Sequence, residues 1–356
     1  MSGTLFRQHL DGLSRRDFLK LTGFGLMGLF FKPSISSRSP ALAQISELEV
    51  PCQGRILHNQ ANLFEKPFAR SKQTGALVRD QVCQVVSATL EEDPAALNRV
   101  WYELVDGSFI HSSDVLPMQV RQNAPLLTLP VKGIPAEVTV PFTDAIWDPR
   151  FGSVVAYRLY YGSVYWVDRV IEDSKGQKWY RISEESDLPV FFFAQAEHLH
   201  VVTQADLEPI SPDVSAADKR IEVRIADQVV IAYERNIPVM MTRAATGAVF
   251  PQKDLHTPLG RYFTNYKLSS RHMVHNDQLE ENAYDLPGVP WVIFLTTTGV
   301  AFHGTYWHNE YGKPRSHGCI NLNLFAARWL FRWSLPGVPL AERIVLTRTG
   351  TIVDIS

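Results

Sequence analysis

The sequence predicts a mainly β protein with one prominent helix near its carboxyl end. From about Gln44 to Val202, short strand-like segments alternate with turn signals and show little helical periodicity. After residue 220, "RIEVRIADQVVIAYERNIPVMMTR" alternates apolar and polar residues, as antiparallel strands with one buried face do. The segment "LFAARWLFRW", 324–333, has helical spacing of its apolar residues, and Asn323 stands where a cap belongs.

The amino-terminal 43 residues differ from the rest and predict a twin-arginine export signal. Arg15 and Arg16 are followed by a short apolar stretch and then by small residues at Ala41 and Ala43. The stretch from residue 21 to residue 31 is far shorter than the roughly 20 residues that span a bilayer. We therefore expect cleavage, no stable membrane insertion afterwards, and export to the cell envelope, meaning the periplasm or the cell wall.

Composition excludes some classes of partner and leaves one question open. The formal net charge is -2, and removal of the basic leader makes the chain more acidic, which disfavours nucleic-acid binding. The chain has three cysteines, Cys52, Cys83 and Cys319, in an oxidising compartment. A Cys52–Cys83 disulfide would contribute about 3 to 4 kcal/mol; two free buried thiols are the equal alternative.

Two stretches resemble copies of one unit, 44–120 and 121–207. Trp101 and Trp179 begin matching "WYEL" and "WYRI" strands, and each copy ends in an aromatic-rich strand and a polar turn before Leu116 or Leu199. The pattern resembles tandem bacterial SH3-like β-barrels. It leaves open whether they bind cell wall or act as spacers. A polar, proline-containing linker is predicted at 208–220, and a third domain at 221–350.

The segment "FHGTYWHNEYGKPRSHGCINL", 302–322, concentrates three histidines and a cysteine. A turn at Thr298 and Gly299 splits "PWVIFLTTTGVAFHG" into two strands and places His303 at a strand end. The spacing lacks the short ligand pairs of structural zinc sites, so no metal is predicted. We interpret His272, His275 and His308 as ordinary packed polar residues.

Cys319 is the exception, because the small residues Ser316 and Gly318 precede it and a histidine at a strand end lies sixteen residues upstream. A free thiol is mostly protonated at neutral pH, so a nucleophilic cysteine needs an imidazole to take its proton. A third group usually fixes the tautomer of that imidazole. No Asp or Glu near the motif stands out for this role, which leaves a backbone carbonyl near His303.

"AFHGT" followed by "GKPRSHGCINL", with "TPLGRYF" and "ATG" upstream, resembles the L,D-transpeptidases of YkuD type. The resemblance covers roughly Lys219 to Leu346, ends on "GVPLAERIVL" as a last strand, and implies a β-sandwich-like catalytic domain. It implies a cysteine-dependent acyltransferase that needs no cofactor. Its partners are peptidoglycan stem peptides, a tetrapeptide donor and an amine acceptor, which it joins in 3→3 cross-links.

The resemblance also implies roles for individual residues. Cys319 is the nucleophile, His303 the base, and the carbonyl of Gly304 orients its ring. His317 shapes the site, while Ser316 and Gly318 bound the turn and the amides of Gly318 and Cys319 form an oxyanion hole. The residues expected to contact substrate or line the cleft are Arg315, Tyr306, Trp307, Tyr284, Asn321 and Trp291.

Two other functions compete with transpeptidation. Water in place of the amine makes the same site an L,D-carboxypeptidase or hydrolase, and the sequence does not identify the acceptor or the diamino acid. A catalytically silent wall-binding protein is the alternative from another class, although the complete SHGC motif argues against it. Papain-like peptidases place the cysteine before the histidine, which is the opposite order.

Overall fold

The computed structural model describes residues 50–93, 98–152, 154–183, 191–250, 253–275 and 284–356. The predicted signal, 1–43, lies outside the described residues. Three β units follow one another along the chain. None of the helices in the described ranges is long and apolar enough to cross a membrane.

The first two units have the same topology. The strands of the first are β1 Cys52–Ile56, β2 Ala61–Phe64, β3 Gln73–Leu77, β4 Val82–Leu90, β5 Val100–Leu104, β6 Phe109–His111 and β7 Val115–Met118. The strands of the second are β8 Ile134–Val138, β9 Phe142–Ile146, β10 Val155–Tyr160, β11 Val164–Glu172, β12 Lys178–Ser183, β13 Phe191–Gln195 and β14 Leu199–Val201. Their orders, β3-β2-β6-β5-β4-β1-β7 and β10-β9-β13-β12-β11-β8-β14, correspond strand for strand.

The tryptophans that suggested the duplication occupy equivalent places. Trp101 lies in β5 and Trp179 in β12, and each indole N–H donates to a carboxylate, of Glu91 and of Asp173, at 3.1 Å. The membership of these units in the SH3-like class stays a prediction. Cys52 and Cys83 are free thiols in the structure, on the same face of β1 and β4, where Cys83 lies opposite Gly54.

The third unit contains two five-stranded sheets around one core. Its strands are β15 Lys219–Arg224, β16 Val229–Glu234, β17 Ile237–Arg243, β18 Val249–Phe250, β19 Lys253–Asp254, β20 Gly260–Phe263, β21 Tyr266–His275, β22 Tyr284–Phe294, β23 Ala301–Gly304, β24 Ile320–Leu322, β25 Val345–Leu346 and β26 Ile352–Ile355. The sheets have the orders β17-β16-β15-β26-β20 and β24-β23-β22-β21-β25, with β18 and β19 as a separate pair. This arrangement confirms the mainly β prediction.

The α-helix of the described residues, α1 Leu324–Trp333, packs into the core between these sheets. Asn323 caps it, because its side-chain oxygen accepts from the amide of Ala326 at 2.8 Å. The buried face includes Ala327, Leu330 and Phe331, as the spacing predicts, while Leu324 is only half-buried.

Two boundaries differ from the prediction. The strand β15 begins at Lys219, inside the predicted linker, because Lys219 already pairs with Glu234 of β16. Its buried side chain donates to the carbonyl of Trp333 at 2.9 Å. The domain also continues past residue 350: β26 pairs in parallel with β15 and antiparallel with β20. The segment "GVPLAERIVL" therefore supplies only the two-residue β25, not the last strand.

Candidate active site

The predicted nucleophile and base lie on neighbouring strands. The strand β23 carries His303, and β24, paired with it in parallel, begins directly after Cys319; Phe302 lies opposite Ile320 and His303 opposite Asn321. Because side chains alternate between the two faces of a sheet, His303, Cys319 and Asn321 share one face. The other face carries Phe302 and Ile320 into the core with α1.

A tight turn presents Cys319 at the start of β24. Gly318 has φ of +113°, a backbone conformation that a residue with a Cβ adopts only under strain. The hydroxyl of Ser316 donates to the carbonyl of Cys319 and accepts from the amide of Gly318 at 3.2 Å. Ser316 thus closes the turn, and the Gly318 amide, one of the two expected oxyanion donors, already has a partner within it.

A second segment of the chain, which contains Thr246 and Thr257, forms hydrogen bonds to this turn. The carbonyl of Thr246 accepts from the amides of Arg315 and Ser316 at 2.7 and 2.9 Å. Thr257 donates its hydroxyl to the carbonyl of Gly318 at 2.9 Å and accepts from the amide of Gly247, also at 2.9 Å. A Cβ at Gly247 would lie 2.1 Å from the carbonyl oxygen of Leu255, so only glycine fits there.

Sequence reasoning noted "ATG" and "TPLGRYF" but gave these residues no role. Gln228, about which the sequence offers no signal, extends the same support. Its side-chain oxygen accepts from the amide of Thr246 at 2.9 Å, and its side-chain nitrogen donates to the Thr246 hydroxyl at 2.7 Å. The nucleophile turn is therefore fixed by buried hydrogen bonds from two distant loops.

His303 is buried, with 3% of its surface exposed. Its Nδ1 lies 3.1 Å from the carbonyl oxygen of Gly304. Since a carbonyl only accepts, Nδ1 carries the proton and Nε2 is left as the acceptor. Burial lowers the pKa of His303 to about 4, an effect that the Gly304 carbonyl opposes. The imidazole is therefore neutral at physiological pH and holds the tautomer that a general base requires.

Cys319 is also held in its neutral form. The residue is half-buried but its thiol is shielded, and Sγ lies 3.5 Å from the carbonyl oxygen of Gly299. Burial raises the pKa of Cys319 to about 11, partly offset by the backbone of Ala301. The thiol of Cys319 and the imidazole of His303 are thus both in their neutral forms at physiological pH.

The other two histidines of the motif have separate surroundings. The ring of His317 stacks on Phe250, with centroids 4.9 Å apart, and lies 5.2 Å from the ring of Tyr284. His308 is buried; its Nδ1 accepts from the amide of Glu310 at 3.2 Å, and its Nε2 is 2.9 Å from the amide group of Asn321. Within the described ranges, no three His, Cys, Asp or Glu side chains converge as metal ligands would.

The orientation of the Asn321 side-chain amide follows from the protonation state of His308. With Nδ1 accepting, His308 carries its proton on Nε2, so the Asn321 oxygen has to face it. One of the two polar atoms of the Asn321 amide is buried without a hydrogen-bond partner. With the oxygen facing His308, that atom is the amide nitrogen, which is therefore a donor without a partner inside the protein.

Four further predicted contact residues lie in different settings. Tyr306 is 3% exposed, and its hydroxyl donates to the carbonyl of Pro287 at 2.7 Å. The half-buried Trp307 stacks on His303, with centroids 5.8 Å apart. Arg315 is partly exposed and forms an ion pair with Glu310. The prediction that Trp291 lines the cleft is wrong: its ring is fully buried in the core beside α1.

Comparison with known proteins identifies the class of this unit. Residues 218–355 match the family model of the YkuD L,D-transpeptidase catalytic domain. The chain therefore carries a YkuD-type catalytic domain over that range, which contains the Cys319 turn, the His303 strand and both supporting loops. No curated protein matches the chain.

Solved structures of L,D-transpeptidases are similar to part of this chain. An avibactam carbamoyl enzyme is 26% identical over 39% of this chain and 49% of its own, with a TM-score of 0.30. An Enterococcus faecium L,D-transpeptidase mutant is 24% identical over 39% and 50%, also at 0.30. The enzyme from Mycobacterium smegmatis is 14% identical over 68% and 100%, at 0.32. The chain spans about half the length of the first two.

Proposed function

We propose that this protein is an exported peptidoglycan L,D-transpeptidase that forms 3→3 cross-links through a thioester at Cys319. The observation that carries the proposal is the parallel register of β23 and β24, which sets His303 and Cys319 on one face of the sheet inside a YkuD-type domain. The donor is a tetrapeptide stem, and the acceptor is the side-chain amine of a neighbouring stem.

In the first half-reaction, Sγ of Cys319 attacks the carbonyl carbon of the donor's diamino acid residue. The sulfur proton moves to Nε2 of His303, whose Nδ1–H stays on the carbonyl of Gly304. When the C–N bond breaks, the imidazolium returns the proton to the departing amine of D-alanine. A thioester and a neutral imidazole remain.

In the second half-reaction, the acceptor amine attacks the thioester carbon. His303 takes a proton from that amine, the C–S bond breaks, and the imidazolium reprotonates the sulfur. A new peptide bond joins the two stems, and the site returns to its neutral resting state. The Cys319 amide and the amide nitrogen of Asn321 are the donors that we assign to the developing oxyanion or the substrate.

Substrate contacts follow from the positions of the exposed groups. The rings of Tyr284 and His317 lie side by side, and His317 belongs to the turn that precedes Cys319. Arg315 is held by Glu310, so it meets a substrate carboxylate only if it exchanges that partner. Because the mechanism needs the thiol and the imidazole to start neutral, water exclusion around both groups is part of the catalytic design.

The test is mass spectrometry of the purified protein mixed with disaccharide tetrapeptide. Loss of D-alanine with formation of a dimer, absent in Cys319→Ala and retained in Cys83→Ala, supports transpeptidation. Tripeptide without dimer indicates hydrolysis of the thioester and replaces the proposal with a carboxypeptidase. Unchanged tetrapeptide in all samples refutes catalysis and favours a wall-binding role.

A further inference from the structure

The loop of residues 305–311 connects the base to the amino-terminal units. It begins directly after β23, two residues beyond His303. Both of the first two β units contact it. The question is whether these contacts merely join domains or whether they shape the catalytic centre.

Arg55 of β1 holds the start of this loop. Its guanidinium donates to the carbonyl of Tyr306 at 2.6 Å, across 251 positions of sequence. The same group pairs with Asp80 at 3.1 Å and lies over the ring of Tyr160, 4.3 Å from its centroid. Arg55 is only 3% exposed. A buried charge–carbonyl bond of this kind is strong, because neither partner has water as a substitute.

Asn309 fixes the far part of the loop to the first unit. Its side-chain nitrogen donates to the carbonyls of Ser112 and Val115, at 2.9 and 3.0 Å. Both protons of one amide are therefore used on the short segment before and within β7. Two separate hydrogen-bonding groups, one on each side of Trp307, thus tie the loop to the same unit.

The second unit adds a contact from another direction. The hydroxyls of Tyr306 and Tyr165 both donate to the carbonyl of Pro287, at 2.7 and 3.2 Å. Tyr160 stacks on Tyr306, with centroids 5.9 Å apart. The loop is thereby enclosed between β22 and the two amino-terminal units.

Trp307 connects the fixed loop to His303 and Cys319. It packs in the cluster of Leu57, Leu116 and Tyr306 at the domain interface, and also in the cluster that contains Cys319. Its ring stacks on that of His303. A loop released from Arg55 and Asn309 keeps only apolar and ring contacts on its amino-terminal side, from Leu57, Leu116 and Tyr160, and none of these is directional enough to fix the ring against the imidazole.

We propose that the amino-terminal units complete the catalytic centre, with Arg55 and Asn309 as positioning residues that hold Trp307 against His303. The inference rests on the proposed function for its kinetic readout. Its second readout, the state of the imidazole, is independent of turnover.

The experiment compares Arg55→Met and Asn309→Ala in the full chain with two matched controls. Arg158→Met removes another arginine that pairs with Asp80, and Asn98→Ala removes another side-chain donor to Ser112; both lie within the amino-terminal units. We expect kcat for dimer formation to fall about tenfold or more in the first two, since small misplacements of a catalytic group cost that much. KM and the control variants should change little.

The second readout is the nitrogen spectrum of the His303 imidazole at about pH 5.5, where a solvated histidine is mostly protonated. The titratable groups near this ring are Cys319, directly before β24, and His308 on the loop. We expect a neutral ring in the unmodified chain and a protonated fraction in Arg55→Met and Asn309→Ala. A change in stability alone leaves the folded-state spectrum as it was.

Each outcome decides the inference. Unchanged kcat and a neutral ring in both positioning variants overturn it, as does an equal loss of kcat in the controls. If Arg55→Met does not fold, Asn309→Ala carries the test. If the unmodified chain does not turn over stem peptide, the proposed function fails, and the imidazole spectra alone decide whether the loop shields His303.

Discussion

Replacing Thr257 by valine tests whether the nucleophile turn depends on its buried support. Valine has nearly the shape of threonine but no hydroxyl, and the site is fully buried. The change removes two hydrogen bonds, to the carbonyl of Gly318 and from the amide of Gly247, each 2.9 Å long. Each buried backbone group left without a partner costs about 1 to 3 kcal/mol, so the turn should lose about 2 to 6 kcal/mol.

Hydrogen exchange is the appropriate assay, because a chain of three units need not unfold in one step. The amides of Arg315 and Ser316 report on the turn, since they donate to Thr246 and not to the altered side chain. A loss of about 2 kcal/mol in local stability corresponds to about 30-fold faster exchange. Activity should fall as well, because Gly318 directly precedes Cys319.

Two controls separate the hydroxyl from the side-chain volume and from general damage. Thr257→Ser keeps the hydroxyl and should exchange at nearly the rate of the unmodified chain. Thr143→Val removes a buried hydroxyl that contacts His198 in the second unit, and should leave residues 315–316 unaffected. Exchange in Thr257→Val within about threefold of the unmodified rate, a difference under 1 kcal/mol, would refute the reasoning.

Three further predictions concern the thiol, the domain interface and the core. Because the pKa of Cys319 is raised to about 11, its alkylation rate should increase about tenfold per pH unit from pH 8 to pH 10, and a plateau below pH 9 contradicts this. The folded chain also binds the thiol proton more tightly than the unfolded chain, so this group's contribution to stability falls as the pH rises from the ordinary thiol pKa, about 8.5, to about 11. Gly288 and Gly107 both have positive φ, +68° and +81°, so alanine strains the backbone at either position. Gly288→Ala also places a Cβ 2.4 Å from the ring of Tyr165, whereas Gly107→Ala meets nothing within 4 Å. Gly288→Ala should therefore lower the melting temperature more, and equal shifts exclude an effect of the domain interface. Lys267→Met leaves the carbonyls of Phe331, Ser334 and Pro336 without the buried side-chain nitrogen that donates to them. Since a buried acceptor without a partner costs about 1 to 3 kcal/mol, denaturant unfolding of the catalytic unit should lose about 3 kcal/mol or more. A loss below 1 kcal/mol, as expected for the surface pair in Lys178→Met, contradicts it.

The sequence predicted the parts of the fold that depend on local patterns. Alternation identified the strands of the third unit, and the turn at Thr298 and Gly299 correctly placed His303 near the end of β23. Helical spacing and the cap at Asn323 located α1. These features follow from periodicity and capping, which act over a few residues. The family model then matched the region in which the cysteine and histidine motifs had indicated a YkuD-type domain.

The sequence was less informative where a residue's surroundings come from distant segments. The sequence analysis grouped Trp291 with the cleft residues, but the fold places its ring in the core beside Phe331. Tyr306 is buried because residues of other units, Arg55 and Tyr160, pack against it. Periodicity within one segment does not specify which side chains another segment brings.

The sequence by itself thus determined the class of fold, the helix and the doubled units, and it singled out the residues that we propose to carry the chemistry. Only the tertiary structure decided how those residues are held: the two hydrogen bonds of Thr257 behind the nucleophile turn, the orientation of Asn321 set by His308, and the loop fixed by Arg55. The physical reason is the separation along the chain over which each effect acts. Strand and helix signals act between near neighbours, whereas burial, and with it the neutral state of both His303 and Cys319, is a property of the whole packed assembly.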